Sequence, residues 1–297
     1  MSDCRFTAAK TVKEVVTNLA EARGEAHVIA GGVALAILMN EGLLQPTWLI
    51  DVSRVPELNG IEVNGDGAIR IGAAVTHSEV AASTDIAALC PMLTEMAAEI
   101  ACGRVMNRGT IGGNICLADP QGDPPVAMLA LDATFRLAGP SATRDVPARS
   151  FFQDLYTTAL AEDELLKEVI VAAPAPGCGT AFGKYAARKA MDYSSTISAA
   201  VLLERDPVYG SIAGIGIGIG GCGVTPIWPE KTETLLRGRQ LNEETFAAMH
   251  DVLIEEIEPI GDSLYSADYK AHVASVILKR TLKIAEQRSV AGEGSSS

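Results

Sequence analysis

The chain has 297 residues, 48% hydrophobic and 21% charged, a globular composition with apolar material for a large core and length enough for two domains. Its net charge of −13 excludes a nucleic-acid backbone or an anionic membrane as the main partner. No apolar run reaches the ~18 residues of a membrane span, the opening MSDCRFTAAKTVKEVV lacks a signal-peptide core, and the six cysteines form no C-x-x-C pair, so a cytoplasmic chain with reduced thiols is expected.

In chain order, Val12, Val15, Val16 and Leu19 make an apolar stripe at helical spacing that stops before Gly24. Residues 27–30 read as a short strand ending on Gly31-Gly32, 35–39 as a short helix, and 48-WLIDV-52 as a buried strand. The segment 61–73 alternates on both sides of Asn-Gly-Asp-Gly and predicts a hairpin. Residues 76–107 look mainly helical, and 109-GTIGGNICLADPQGDPP-125 reads as a loop. A helix follows in 125-PVAMLALDA-133, opened by a proline whose missing N–H costs nothing there. Strands return near 134–137 and 168–172.

The piece 173-APAPGCG-179, with two prolines and two glycines, marks a boundary. Beyond it, strands at 181–187, 198–204 and 211–221 suggest an antiparallel sheet, followed by helices at 230–237, 242–254 and 267–286. The tail 291-AGEGSSS-297 has a disordered composition. The pattern is α+β, in two or three lobes, without an internal repeat.

Gly216, Gly218 and Gly221 formally satisfy the dinucleotide fingerprint G-x-G-x-x-G. Pro226 and Pro229 follow almost at once, however, and the stretch about twenty residues on, 236-LRGRQ-240, lacks the required acid. Alternating glycine and isoleucine fits a strand with one bare face pressed against another layer.

The two Gly-Gly pairs carry more. Glycine permits positive φ, so successive N–H groups can turn inward and cradle an anion. In 28-VIAGGVALAILMN-40 the pair Gly31-Gly32 precedes a helix N-terminus, and in the second stretch Thr110 and Asn114 add a hydroxyl and an amide. Facing each other, the two loops would suit a pyrophosphate. Singly, each is more simply a turn, and as a pair the two readings stand even. Asp119 and Asp123 would accept hydrogen bonds from a ribose or ribityl hydroxyl, or Asp123 caps the helix that begins at Pro124.

No catalytic constellation stands out. His27, His77, His250 and His272 lack metal-ligand spacing, and no serine or cysteine sits in a nucleophile motif. Lys184 and Arg188 lie four apart in 182-FGKYAARKAMDYSS-195, where Phe182, Tyr185 and Tyr193 suggest partial burial. A missing acid–base set suits chemistry that belongs to a cofactor.

These residues together resemble the FAD-binding medium subunit of molybdenum hydroxylases, a group with carbon monoxide dehydrogenase, heteroaromatic and purine dehydrogenases and the flavin domain of xanthine dehydrogenase. The resemblance rests on 30-AGGVAL-35 and 110-TIGGNICLADPQGD-123, supported by 48-WLIDVSRVPEL-58, 69-IRIGAAVTHSEV-80, 222-CGVTPIWPE-230 and 262-DSLYSADYKAHVASVILKRTL-282. It implies a two-part PCMH-type, vanillyl-alcohol-oxidase-like FAD-binding domain over 1–175, its subdomains meeting near 55–60. A smaller antiparallel sheet with helices over 176–288 and a disordered tail over 289–297 would follow.

By the same resemblance, Ala30, Gly31, Gly32, Val33, Ala34 and Leu35 would hold the FAD pyrophosphate with Thr110, Ile111, Gly112, Gly113 and Asn114. A side chain at Gly112 would then occupy the pyrophosphate's place. Asp123 would reach the adenosine ribose, and Ile100, Val105 and Ile170 would line the flavin or adenine pockets. Lys184 would lie near the isoalloxazine ring and favour its anionic reduced form, with Tyr193 flanking it. Val33-Ala34 departs from the usual polar pair, and the cysteine-bearing insertion of benzoyl-CoA-type reductases is missing. The implied protein carries non-covalent FAD between 2Fe–2S clusters on a small subunit and an external acceptor. A large subunit would hold the molybdenum cofactor, in a dimer of heterotrimers. A stand-alone FAD reductase would need its own acid or base, and a flavin-free scaffold would need no cofactor.

Overall fold

The computed structural model describes residues 4–65, 67–186 and 196–291. Strands β1 (Arg5–Ala8), β2 (Ala26–Ile29) and β3 (Trp48–Asp51) form a parallel sheet in the order β1-β3-β2. Helix α1 (Val12–Ala22) is opened by Thr11, whose hydroxyl accepts the Glu14 N–H, and closed by Arg23 in the left-handed region. Its predicted stripe of Val15, Val16 and Leu19 is buried with Trp48 and Ile50. Helix α2 (Val33–Asn40) joins β2 to β3 and, despite its apolar sequence, buries no residue.

A short turn over Pro56–Leu58 leads into the second lobe. Strands β4 (Ile61–Val63) and β5 (Ile69–Gly72) form the predicted hairpin. Five short helices succeed them: α3 (His77–Ala82), α4 (Thr84–Leu89), α5 (Pro91–Ala98), α6 (Gly103–Met106) and α7 (Ile111–Leu117). The last corrects the loop expected at 109–125, because Thr110 caps the Gly113 N–H and starts a helix through both glycines. Helix α8 (Asp123–Ala130) has proline in its first turn, as expected, and all eight of its residues are buried. Strands β6 (Thr134–Ala138) and β7 (Thr143–Pro147), the short α9 (Ala148–Phe151), β8 (Phe152–Asp154), β9 (Thr157–Thr158) and β10 (Leu165–Val171) complete the lobe.

The sheet runs β4-β5-β10-β6-β7, antiparallel throughout. Ile69, Ile71, Phe135, Leu137, Val169 and Val171 face the helices and form the largest core cluster. On the opposite face Glu168 accepts from both Arg70 and Arg136, at 3.0 and 2.8 Å.

The third lobe is an antiparallel sheet of β11 (Gly179–Tyr185), β12 (Ile197–Arg205) and β13 (Ile212–Gly220), with α10 (Glu230–Leu236), α11 (Glu243–Glu256) and α12 (Ala267–Ala291). One face of the sheet packs on α12 through Ala181, Ala199 and Val201. The other face meets α8: added Cβ atoms at Gly216 and Gly218 would fall 2.1 Å from the carbonyl oxygens of Ala130 and Val126. The fingerprint-like glycines therefore admit a helix backbone against a strand, as the bare-face reading anticipates. Helix α12 continues through Ser289 to Ala291, into the stretch expected as tail.

Candidate functional site

The two glycine pairs come from different lobes, and the first meets the turn at Arg108 and Gly109 that leads into the second. A Cβ on Gly31 would lie 1.5 Å from the Arg108 carbonyl oxygen, so only a bare Cα seats against that peptide. Arg108 answers with its side chain, Nε donating to the Gly31 carbonyl at 3.3 Å. Gly32 takes φ 74°, the left-handed turn that starts α2, and no side chain caps the first-turn N–H groups there. Those donors are left for an anion, aided by the helix N-terminus.

The second pair is built differently. Gly112 donates its N–H to the Ala73 carbonyl at 3.0 Å, and Ile111 donates to Val75 at 2.9 Å, tying α7 to the connection after β5. An added Cβ at Gly112 would lie 2.5 Å from Ala73 Cβ and 2.6 Å from its carbonyl oxygen. That position points into the protein, which corrects the expectation that a Gly112 side chain would displace a ligand. Gly113 is exposed, with only the Thr110 hydroxyl near its vacant Cβ position. The Thr110 oxygen is already the cap acceptor.

Asn114 contributes an unmet valence. Its Oδ1 is buried with no hydrogen-bond partner, near the vacant Cβ position of Gly122 at 2.9 Å. Beneath the loop, His77 is 2% exposed, donates its backbone N–H to the Gly109 carbonyl at 3.0 Å, and leaves the ring Nδ1 buried without a partner. Burial pushes its imidazole down to about 4, so it is neutral near pH 7. Val105 accepts from the N–H groups of Arg108 and Gly109, which folds the turn that presents Gly109 to Gly31.

Asp123 and Lys184 are one feature. Lys184 Nζ reaches Asp123 Oδ2 at 2.8 Å and the Glu99 carbonyl at 2.7 Å, with both charged side chains almost fully buried. Asp123 is the first residue inside α8, and the cap position belongs to Gly122 without a side-chain cap, which corrects the capping alternative. A cation from the third lobe thus bridges two helix ends of the second. Ile100 is buried beside that anchor point, followed by Ala101 at φ 45°. Asp119 is a turn former whose carboxylate accepts the Gln121 N–H at 2.9 Å.

The structure does not bring Ile170 to this group: it alternates with the core residues Val169 and Val171, and its ladder partners are Arg70 and Thr134. Tyr193 and Arg188 lie outside the described residues. Arg108 was not singled out from sequence, and His77 only as a histidine without metal-ligand spacing, because an arginine before a glycine and a histidine after a strand have no local signature. Among the described residues no group of three or more His, Cys, Asp or Glu side chains could hold a metal. His250 and His272, distant in sequence, do meet across α11 and α12 with ring centroids 6.4 Å apart.

The residues present fit a cofactor with a diphosphate and a hydroxylated chain: bare donors at α2, a close seam between loops, and an orphaned amide oxygen able to accept from a hydroxyl. Comparison with known proteins agrees. Residues 2–174 match the FAD-binding domain in molybdopterin dehydrogenase, and 181–285 match the CO dehydrogenase flavoprotein C-terminal domain. The chain is 36% identical to the carbon monoxide dehydrogenase medium chain of Hydrogenophaga pseudoflava, covering 95% of this chain and 97% of that one. It is 31% identical to the 6-hydroxypseudooxynicotine dehydrogenase complex subunit alpha of Paenarthrobacter nicotinovorans, covering 95% and 94%. The solved carbon monoxide dehydrogenase of Hydrogenophaga pseudoflava superposes with a TM-score of 0.92 at 35% identity, covering 96% of this chain and 98% of that one. The chain belongs to the FAD-binding flavoprotein subunits of the molybdenum hydroxylases.

Proposed function

We propose that this chain holds FAD along the seam of its two glycine pairs and serves as the electron-transfer subunit of a molybdenum hydroxylase. The observation that carries this reading is the reciprocal seating of Gly31 and Arg108, which sets the uncapped N–H donors at the start of α2 against the second lobe. Bound FAD supplies the one- and two-electron chemistry, for which the chain itself needs no acid–base set.

Ala30 to Leu35 would act through backbone N–H groups, since Val33 and Ala34 bring no polar side chain. Thr110 to Asn114 would complete the cradle, the threonine oxygen serving as helix cap as well. Asp123 and Lys184, in contact, address one segment of the cofactor, and we place both on its ring side together with Ile100. Their mutual neutralisation mutes the bias toward an anionic reduced flavin expected of a lone lysine. The division into 1–175 and 176–288 is supported by the two family matches, 2–174 and 181–285.

Relatives named for carbon monoxide and for 6-hydroxypseudooxynicotine lie at comparable identity, so substrate choice belongs to another subunit. We place the chain with a small 2Fe–2S subunit and a large molybdenum subunit, as a dimer of heterotrimers in the cytoplasm. The words "medium chain" and "complex subunit" in the relatives' names support a multi-subunit complex. No helix among the described residues is long and apolar enough to cross a membrane.

Purification from its source tests the reading. The chain is expected to elute with iron–sulfur and molybdenum subunits and to release FAD on denaturation. Elution alone with catalytic turnover would favour a stand-alone reductase, and a chain that binds no flavin would end the proposal.

A further inference from the structure

We infer that Arg108 welds the two glycine loops into a single diphosphate site, holding one loop with Nε and offering the rest of its guanidinium to the diphosphate. The inference rests on the FAD reading above. Arg108 grips Gly31 twice: its peptide fills the vacant Cβ position, and its Nε donates to the glycine carbonyl. With Nε engaged, the two terminal nitrogens remain, and they enter no other hydrogen bond or ion pair among the described residues.

Place rather than the lack of a carboxylate partner sets this arginine apart, since Arg205 also donates to a glycine carbonyl. The chain has 37 acidic and 24 basic residues, and Arg70, Arg136, Arg144, Arg149, Arg237 and Arg288 all form ion pairs with carboxylates. Arg108 is exposed and bonds only to a carbonyl, at a place where the cradle lacks other cationic side chains. The first turns of α2 and α7 contain no basic residue, and Val33 and Ala34 are apolar. Backbone donors orient a diphosphate but do not neutralise it, whereas a planar guanidinium meets phosphate oxygens with charge-assisted bonds. The plain alternative is a solvated surface arginine. It leaves unexplained why the side chain folds back onto Gly31.

The test is titration of the full-length deflavo chain with FAD, followed by flavin fluorescence at several salt concentrations, for wild type and for Arg108→Ala, Arg108→Gln and Arg108→Lys. We expect Arg108→Ala to raise Kd on the order of 10- to 100-fold, to flatten its salt dependence, and to leave the melting temperature of the FAD-free chain unchanged. Arg108→Gln keeps a donor for Gly31 but no charge, and is expected to lose the salt dependence equally. Arg108→Lys keeps the charge without the fork, and is expected to fall between wild type and alanine. Wild-type affinity and salt slope in Arg108→Ala would overturn the inference, as would full rescue by Arg108→Gln, which would leave a tether only. Failure of the wild-type chain to bind FAD would instead overturn the FAD reading, and this inference with it.

Discussion

Gly31-Gly32 and Gly112-Gly113 differ in what surrounds the missing side chains. At Gly31 the vacant Cβ position is taken by the Arg108 peptide of another lobe, and Gly32 turns the chain at φ 74°. At Gly112 the space is taken by Ala73 of the same lobe, and the pair runs inside a helix with no positive φ. The first pair is an interface between lobes; the second is a close packing of a helix on the end of a strand. One dipeptide therefore answers two demands, a contact between lobes at the first pair and packing within one lobe at the second.

That contrast can be broken most forcefully at Gly31. Gly31→Ala places a methyl 1.5 Å from the Arg108 oxygen, which forces the lobes apart. We expect a loss of roughly 3 kcal/mol or more of stability, the upper end of overpacking costs, and loss of measurable FAD binding by fluorescence titration. Wild-type FAD affinity in this variant would show that the seam is not the site.

Next in size is the support beneath the second loop. The His77 imidazole takes up a proton at about 4 when folded and near 6.5 when unfolded, so the unfolded chain binds more protons between those values. Its contribution is complete above pH 6.5 and is lost as pH falls towards 4, by roughly 2–3 kcal/mol. Urea midpoints of the FAD-free chain at pH 7 and pH 4.5 should differ less in His77→Gln than in wild type. Parallel pH dependence in the two proteins would remove His77 from this role.

The smallest effect is expected at Gly112. Gly112→Ala should cost about 1–2 kcal/mol as α7 shifts off Ala73, while FAD affinity changes less than it does in Gly31→Ala. Chemical denaturation and FAD titration on both variants give the comparison directly. A Gly112→Ala chain that keeps its stability but loses FAD would reverse the assignment of the two pairs.

Much of the fold was legible because periodicity is local. The stripe of α1, the hairpin of β4 and β5, the antiparallel strands of the third lobe and its three helices stand close to where the alternation of apolar residues puts them. Helix α7 was not legible. Two glycines and short polar residues read as a loop, and the helix exists because Thr110 caps it and Ala73 and Val75 accept its first N–H groups. Strand β7 escaped for a similar reason: in TRDVP only Val146 is buried, and pairing with β6 supplies the rest.

The site divides the same way. By itself the sequence determined that 216–221 is not a nucleotide loop and that the order of the motifs resembles one family, while it left the two glycine pairs evenly balanced between turns and an anion cradle. Those conclusions follow from residue type and spacing, which the chain carries before it folds. Tertiary structure alone decided that Gly31 rests on Arg108, that Gly112 faces Ala73 rather than a ligand, that Asp123 and Lys184 form one buried pair, and that Ile170 stands apart. Each of these is a contact between segments far apart in the chain, and no local pattern encodes which distant backbone will occupy the space a missing Cβ leaves.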